Sequence, residues 1–311
     1  MSTRRKTLGL MLGALSCTLL GATSRAHATG PEQVRHDPRA LFRHDSAAPL
    51  AIVTEPVASL DTGITMQRIS YASRGGDRAS GVIAVPNTAG PHPAVLLLHG
   101  LPGNAEQAMR AVGYSHARRG AIVLSIDAPW ARRGSLPSFT VQDSVDQVQL
   151  IHDLRRAVDL LRQRSDVDPK RIAYVGGSYG GAMGTLFLSV EDRIAAGILF
   201  VPDGGMVDHM TNRDGSPARP LAELPATAQA RWLAAMRPIE PIRFANQIRT
   251  PALLVQNGRR DQYVSTEDAE ALHRALPQHT TVEWYDSGHG LPSTASQSRH
   301  AWLAKQIGTR P

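Results

Sequence analysis

Residues 173–184 read AYVGGSYGGAMG, one serine among five glycines. Turns rich in glycine and serine are common, so the flanks decide what this one means. Upstream, residues 171–175 form a short apolar run of the kind found in a buried strand, and downstream residues 179–190 suit a helix. Between them, Gly176-Gly177-Ser178-Tyr179-Gly180 fits the spacing G-x-S-x-G in a strand-turn-helix setting. A turn this sharp strains the serine backbone and leaves no room for side chains at 176 and 180. The Ser178 hydroxyl is thereby held at the carboxyl edge of a sheet, at a helix start where unpaired N–H groups favour developing negative charge. Ser178 is a candidate nucleophile, and the Tyr179 N–H a candidate donor to an oxyanion.

Outward from this turn, HPAVLLLHG, GAIVLSIDAP, RIAYVGG, AAGILFVPD and PALLVQNG are short continuous apolar runs, followed by a last strand-like run, TTVEWYDSG. Such runs mark strands buried on both faces. Helical patterns fall between or after them at about residues 105–119, 141–164, 179–190, 266–275 and 294–307. Alternation of this kind predicts an α/β fold with a mainly parallel central sheet and helices on both faces. Ahead of it, ITMQRISYAS and ASGVIAVP flank the turn-like RGGDR and predict an N-terminal β-hairpin. No repeat of fixed period and no Pro/Ser-rich linker divides the core, so one domain over residues 49–311 is the simpler count. Residues 203–247 break the rhythm with a long, proline-rich connection, expected to be a cap-like insertion.

A serine hydroxyl needs a base that is itself held by a carboxylate, in the chain order Ser, Asp, His for this architecture. Asp261 in NGRRDQYV follows one predicted strand, and His289 in DSGHG follows the next. Both fall at carboxyl strand edges, on the side of Ser178. Asp203, after the preceding strand, is a rival for the acid. The loop His99-Gly100-Leu101-Pro102-Gly103 resembles the HG-type segment of esterases, which makes the Leu101 N–H the candidate second oxyanion donor and His99 a structural hydrogen-bonding residue. Trp130, after SIDAP, is expected to bind substrate, and its loop together with the 203–247 insertion to roof the site. Arg132 and Arg133 in that loop are more in keeping with a structural or solvated role.

The chain of 311 residues opens with a basic start (Arg4, Arg5, Lys6), an apolar run from Leu8 to Leu20 and a small-x-small ending at Ala26-His27-Ala28. This is the pattern of a signal peptide cut after Ala28, implying export to the periplasm or outside the cell, with the route left open between the general and twin-arginine pathways. The apolar run is short of the roughly 20 residues that span a bilayer, so no stable membrane anchor is expected. Cys17 is the only cysteine, and its loss with the leader excludes disulfides, cysteine metal sites and a cysteine nucleophile from the mature chain. Loss of Arg4, Arg5, Lys6 and Arg25 lowers the formal charge from +7 to +3, which removes the compositional support for a nucleic-acid role. Residues 29–48 are polar and aperiodic and are expected to form an exposed N-terminal arm, with His36, His44 and His152 as surface histidines.

Taken together, HGLPGN, DVDPKRIAYVGGSYGG, NGRRDQYV and DSGHG resemble the α/β-hydrolase superfamily, over roughly residues 64–307. The likeness is to the branch of dienelactone hydrolase-like esterases, acetyl xylan esterase-like enzymes and prolyl oligopeptidase catalytic domains. Dienelactone hydrolase itself carries cysteine where this chain has Ser178. Fewer than about 50 residues precede the core, too few for the propeller of prolyl oligopeptidases. The resemblance implies a secreted serine esterase acting on a small-molecule or polymer-derived ester, through Ser178, Asp261 and His289, with no cofactor and no metal. A peptidase acting on short peptides and a non-catalytic binding protein on the same fold are the alternatives.

Overall fold

The computed structural model describes residues 38–311. Nine strands form one sheet: β1 Val53–Val57, β2 Ile64–Ala72, β3 Arg78–Pro86, β4 His92–Leu98, β5 Ile122–Ile126, β6 Val167–Gly177, β7 Ala196–Phe200, β8 Ala252–Gly258 and β9 Thr281–Tyr285. Their spatial order is β1-β2-β3-β5-β4-β6-β7-β8-β9. The first three strands and the β3–β5 pair are antiparallel, and every pair from β5 to β9 is parallel. The hairpin read from sequence is β2–β3, with Ile64 opposite Pro86 and Ala72 opposite Arg78. β1 extends it by a strand that the alternation did not announce: four of its five residues are exposed, so no buried face imprints a period.

The helices, in chain order, are α1 Ala105–Ala108, α2 Tyr114–Ala117, α3 Pro129–Arg132, α4 Val141–Gln163, α5 Tyr179–Val190, α6 Met206–His209, α7 Ala226–Met236, α8 Thr266–Ala275 and α9 Ser293–Ile307. Residues 109–113 join α1 to α2 through a wider helical turn. Alternation along each central strand splits the core into two layers. Ala94, Leu96 and Leu98 of β4 and Ile172 and Tyr174 of β6 face α4, α5 and α8. Val95, Leu97, Ala173 and Val175 face α1, α2 and α9. Burial on both faces is why these strands read as unbroken apolar runs.

One expectation about the outer parts of the chain is corrected, that of surface histidines. Residues 38–48, the described part of the expected exposed arm, are exposed along much of their length but docked on α4. Phe42 is wholly buried, edge-on to Phe244 with ring centroids 6.0 Å apart. The Arg156 guanidinium, itself buried, donates to the carbonyls of Asp45, Ala48 and Pro49 and to the Asp159 carboxylate. His44 and His152 are accordingly not surface residues: His44 Nε2 meets Asp159 Oδ2 at 3.2 Å, and His152 Nε2 donates to the Leu41 carbonyl at 2.8 Å. Their polar sequence misled because backbone carbonyls and buried charges, rather than apolar side chains, hold this segment. His36 and the proposed leader lie outside the described residues.

The 203–247 insertion is part of the main body. Trp232 is fully buried and donates to Asp143 Oδ2 at 2.8 Å, while Met206, Val207, Leu221, Leu233 and Met236 join the core layer over α4 and α5.

Candidate active site

The turn between β6 and α5 is as tight as its glycines require. Ser178 has φ 55° and ψ −121°, a left-handed backbone that costs a residue with a Cβ of order 1–3 kcal/mol. A Cβ on Gly176 would overlap the Gly180 carbonyl, and one on Gly180 the Leu98 carbonyl. The Ser178 N–H donates to the Phe200 carbonyl at 2.9 Å, which ties the turn to the end of β7. The next residue there, Val201, is also left-handed at φ 47°, held by its N–H on the Gln256 carbonyl. Tyr179 opens α5, so its N–H lies in the first turn, where helix amides lack internal acceptors.

Asp261 and His289 come from loops that the backbone stitches together. The Arg259 and Arg260 N–H groups donate to the carbonyls of Tyr285 and Ser287, at 2.8 and 2.9 Å. Asp261, its side chain 1% exposed, accepts the N–H groups of Tyr263 (2.8 Å) and Val264 (3.1 Å) on Oδ1, and its Oδ2 lies 2.7 Å from His289 Nδ1. That bond puts the imidazole proton on Nδ1 and leaves Nε2 as the basic nitrogen. The Tyr263 ring stands edge-on to His289 with centroids 5.1 Å apart, and Gln262 Oε1 accepts the His289 N–H at 3.4 Å. Asp203, the rival acid, is paired elsewhere: its Oδ2 lies 2.8 Å from His209 Nδ1.

Leu101 sits in a loop that His99 anchors. His99 Nδ1–H donates to the Gly100 carbonyl at 2.8 Å, and Nε2 accepts the Ala128 N–H at 3.0 Å. Burial pushes the His99 pKa down, in keeping with a neutral ring that both donates and accepts. Asp127 fixes the other side of the loop, accepting the Ala105 N–H at 2.8 Å and the Ser80 hydroxyl at 3.0 Å.

These pieces converge on one cavity of about 340 Å³, whose wall includes Leu101, Ser178, Tyr179, Asp203, His209 and His289. Met183, Met206, Val201 and Val264 make much of the remainder apolar. Trp130 is the exception among the expected site residues. It is buried behind Tyr179, edge-on to both Tyr179 and His99 at 5.6 and 5.2 Å, and does not line the cavity. Its place directly after a strand end suggested a substrate contact, but α3 turns the ring inward. Arg132 and Arg133 are structural: the first pairs with Asp77 and Asp153, the second with Asp146.

His209, Tyr263 and Met206 are among the cavity residues that sequence reasoning did not single out. His209 had one available signal, its position six residues after Asp203 beyond a strand's carboxyl end. Among the described residues no group of three or more His, Cys, Asp or Glu is placed to hold a metal ion, and no helix is long and apolar enough to cross a membrane.

Two family models each match more than half of the chain: the prolyl oligopeptidase family over residues 141–308, and acetyl xylan esterase (AXE1) over residues 43–203. The chain belongs to the α/β-hydrolase superfamily. Among solved structures, it is similar to acetyl xylan esterase from Paenibacillus sp. R4, with TM-score 0.66, 19% identity and 87% of this chain and 92% of that one covered. Acetyl xylan esterase 1 from Thermoanaerobacterium sp. JW/SL YS485 is similar at TM-score 0.67 and 18% identity, covering 86% of this chain and 91% of that one. Esterase EstD of Thermotoga maritima is 23% identical over 233 residues, 65% of this chain and 55% of EstD. The chain thus spans about half the length of that curated relative. At these identities the structural likeness speaks to the fold.

Proposed function

We propose that the protein is an exported serine hydrolase of carboxylic esters. The observation that carries this reading is the meeting of Ser178 and the Asp261–His289 pair at one cavity, with the histidine's Nε2 free to act as base. Ser178 Oγ attacks the ester carbonyl while His289 Nε2 takes its proton. The oxyanion is held by the Leu101 and Tyr179 N–H groups. His289 then protonates the departing alcohol, and water repeats the cycle on the acyl-enzyme, with Asp261 holding the imidazole throughout.

A cavity of about 340 Å³ with apolar walls suits a short acyl group. The names of the AXE1 family and of the similar structures favour acetyl esters of carbohydrates as the first substrates to try. The match to the prolyl oligopeptidase family supports a second reading, cleavage of short peptides by the same residues.

The test is hydrolysis of p-nitrophenyl acetate and butyrate, compared with aminoacyl p-nitroanilides, by protein starting at Thr29. Turnover of the esters, loss of it in Ser178→Ala and labelling of Ser178 by a fluorophosphonate are expected. Folded protein that neither labels nor turns over would refute the proposal, and faster amide than ester cleavage would move it to the peptidase reading. Export is tested by expressing the full chain in a Gram-negative host: a periplasmic product beginning at Thr29 is expected, and a product kept in the cytoplasm with residues 1–28 intact would refute it.

A further inference from the structure

The cavity holds a second histidine–carboxylate pair that the proposed mechanism does not use. His209 Nδ1–H donates to Asp203 Oδ2 at 2.8 Å, and the Gly205 N–H donates to Asp203 Oδ1 at 3.1 Å, so the carboxylate is engaged on both oxygens and the ring is fixed. With Nδ1 committed, Nε2 is the nitrogen left for the cavity that His209 lines. The wall combines the apolar Met183, Val201, Met206 and Val264 with the polar Ser178, Tyr263 and His289, and the His209 side chain is itself 36% exposed.

A second cavity of about 320 Å³ shares Leu101, Pro102, Ser178, Val201 and His289 with the first, and continues along Ala108, Ala111, Val112 and Phe200. An ester centred on Ser178 therefore reaches His209 only in the first cavity; the second is lined largely by aliphatic and aromatic groups, with Gln107 and His99 as its own polar side chains.

The charged groups around His209 are Asp203, Asp208 and Asp268, with Glu240 close to the first two. The bond to Asp203 raises the His209 pKa, against the effect of burial. Burial, and next the charge of Asp203, lift Asp208 to about 6, while burial holds Glu240 well up. Nε2 donates when the ring is protonated and accepts when it is neutral. A hydroxyl group, both donor and acceptor, complements either state.

We propose that His209, oriented by Asp203, binds a hydroxyl group of the substrate and so selects hydroxylated esters over their methyl isosteres. The proposal rests on the esterase reading above and adds a binding residue to it.

Two matched pairs test it, each exchanging OH for CH₃: methyl glycolate against methyl propionate on the acyl side, and 2-hydroxyethyl acetate against propyl acetate on the alcohol side. In the wild type one of the two pairs is expected to show a preference of about tenfold in kcat/KM for the hydroxyl member, the size of one hydrogen bond. The pair that responds identifies the half that faces His209. His209→Gln, whose amide reaches the Nε2 position, keeps the preference. His209→Asn, whose amide reaches only the Nδ1 position beside Asp203, loses it. A purely structural role for the His209–Asp203 bond predicts the reverse, Asn tolerated and Gln damaging. Equal rates within both pairs in the wild type, or a preference that survives His209→Asn, would overturn the proposal.

Failure of the hydrolysis reading is separated by ligand-observed NMR on Ser178→Ala. A hydroxyl ester that binds it about tenfold more tightly than its isostere, with that advantage lost in Ser178→Ala/His209→Asn, supports His209 even in a protein that turns nothing over. Equal binding of the two members would overturn it there too.

Discussion

Asp261→Asn isolates what the carboxylate does for His289. The asparagine carbonyl can still accept the Tyr263 and Val264 N–H groups that Asp261 Oδ1 holds at 2.8 and 3.1 Å, so the loop keeps its anchors. At the Oδ2 position, 2.7 Å from His289 Nδ1, the variant presents an N–H donor instead of an acceptor. Two donors cannot face each other, so the imidazole moves its proton to Nε2 and loses the lone pair that should take the Ser178 proton. A change that keeps geometry and reverses the tautomer in such a triad lowers kcat by about 10⁴, which is about 5.4 kcal/mol of transition-state stabilisation. The assay is kcat for p-nitrophenyl acetate, with thermal melting as a control that is expected to move by only a few degrees. A variant that keeps more than a tenth of wild-type kcat would show that Asp261 does not orient the base. The second carboxylate near the cavity, Asp203, would then become the acid to examine, although its bond to His209 argues against that role.

Two further predictions concern stability. Phe42→Ala should cost about 3–5 kcal/mol in denaturant unfolding, because its wholly buried ring leaves a cavity against Phe244; a change under about 0.5 kcal/mol would mean that this segment is as free as its sequence looked. Asp208 titrates near 6 in the folded chain, chiefly through burial and then through the charge of Asp203, against about 4 when unfolded. Below pH 4 both states hold the proton and the group is neutral to stability. Between 4 and 6 only the folded state keeps it, so stability falls as pH rises, and above 6 the full penalty stays. Discounted for partial exposure, that penalty is on the order of 1 kcal/mol. Asp208→Asn should therefore raise stability at pH 7.5 by about that amount and leave it unchanged at pH 4, read as melting temperature at the two values; equal effects at both would refute the assignment.

The parallel half of the sheet was legible because its strands are buried on both faces, and a doubly buried strand must be apolar throughout. The turn at Ser178 was legible for a related reason: Gly176 and Gly180 are demanded by carbonyl oxygens that any Cβ would overlap. Asp261 and His289, which the structure pairs, could be singled out as candidates because the chain order of such a site and the carboxyl ends of strands leave few alternatives. What resisted reading was whatever polar groups hold together. Segment 38–48 carries two arginines and a histidine and looks solvated, yet its backbone carbonyls satisfy Arg155 and Arg156 of α4. The α4 helix buries Asp143, Asp153 and Asp159 against such partners, so its polar side is as much interior as its apolar side.

The same physics separates the two histidines of the cavity. His289 could be singled out as a candidate because the proposed catalysis restricts where a base stands relative to its nucleophile, so its position carries information that no partner needs to supply. His209 answers to no such rule. Its ring is set by Asp203, six residues earlier, and by α6, a single turn of helix whose first amides are held by Glu240, more than thirty residues further along the chain. Burial raises the Glu240 pKa, and Val207 and Asp208 donate to its Oε1. A residue whose orientation depends also on a distant buried acid leaves only a faint local pattern in the sequence, here its spacing from Asp203. In a superfamily where one sheet serves many substrates, the groups that choose the substrate stand on the connections between strands, and only the folded chain brings those connections together.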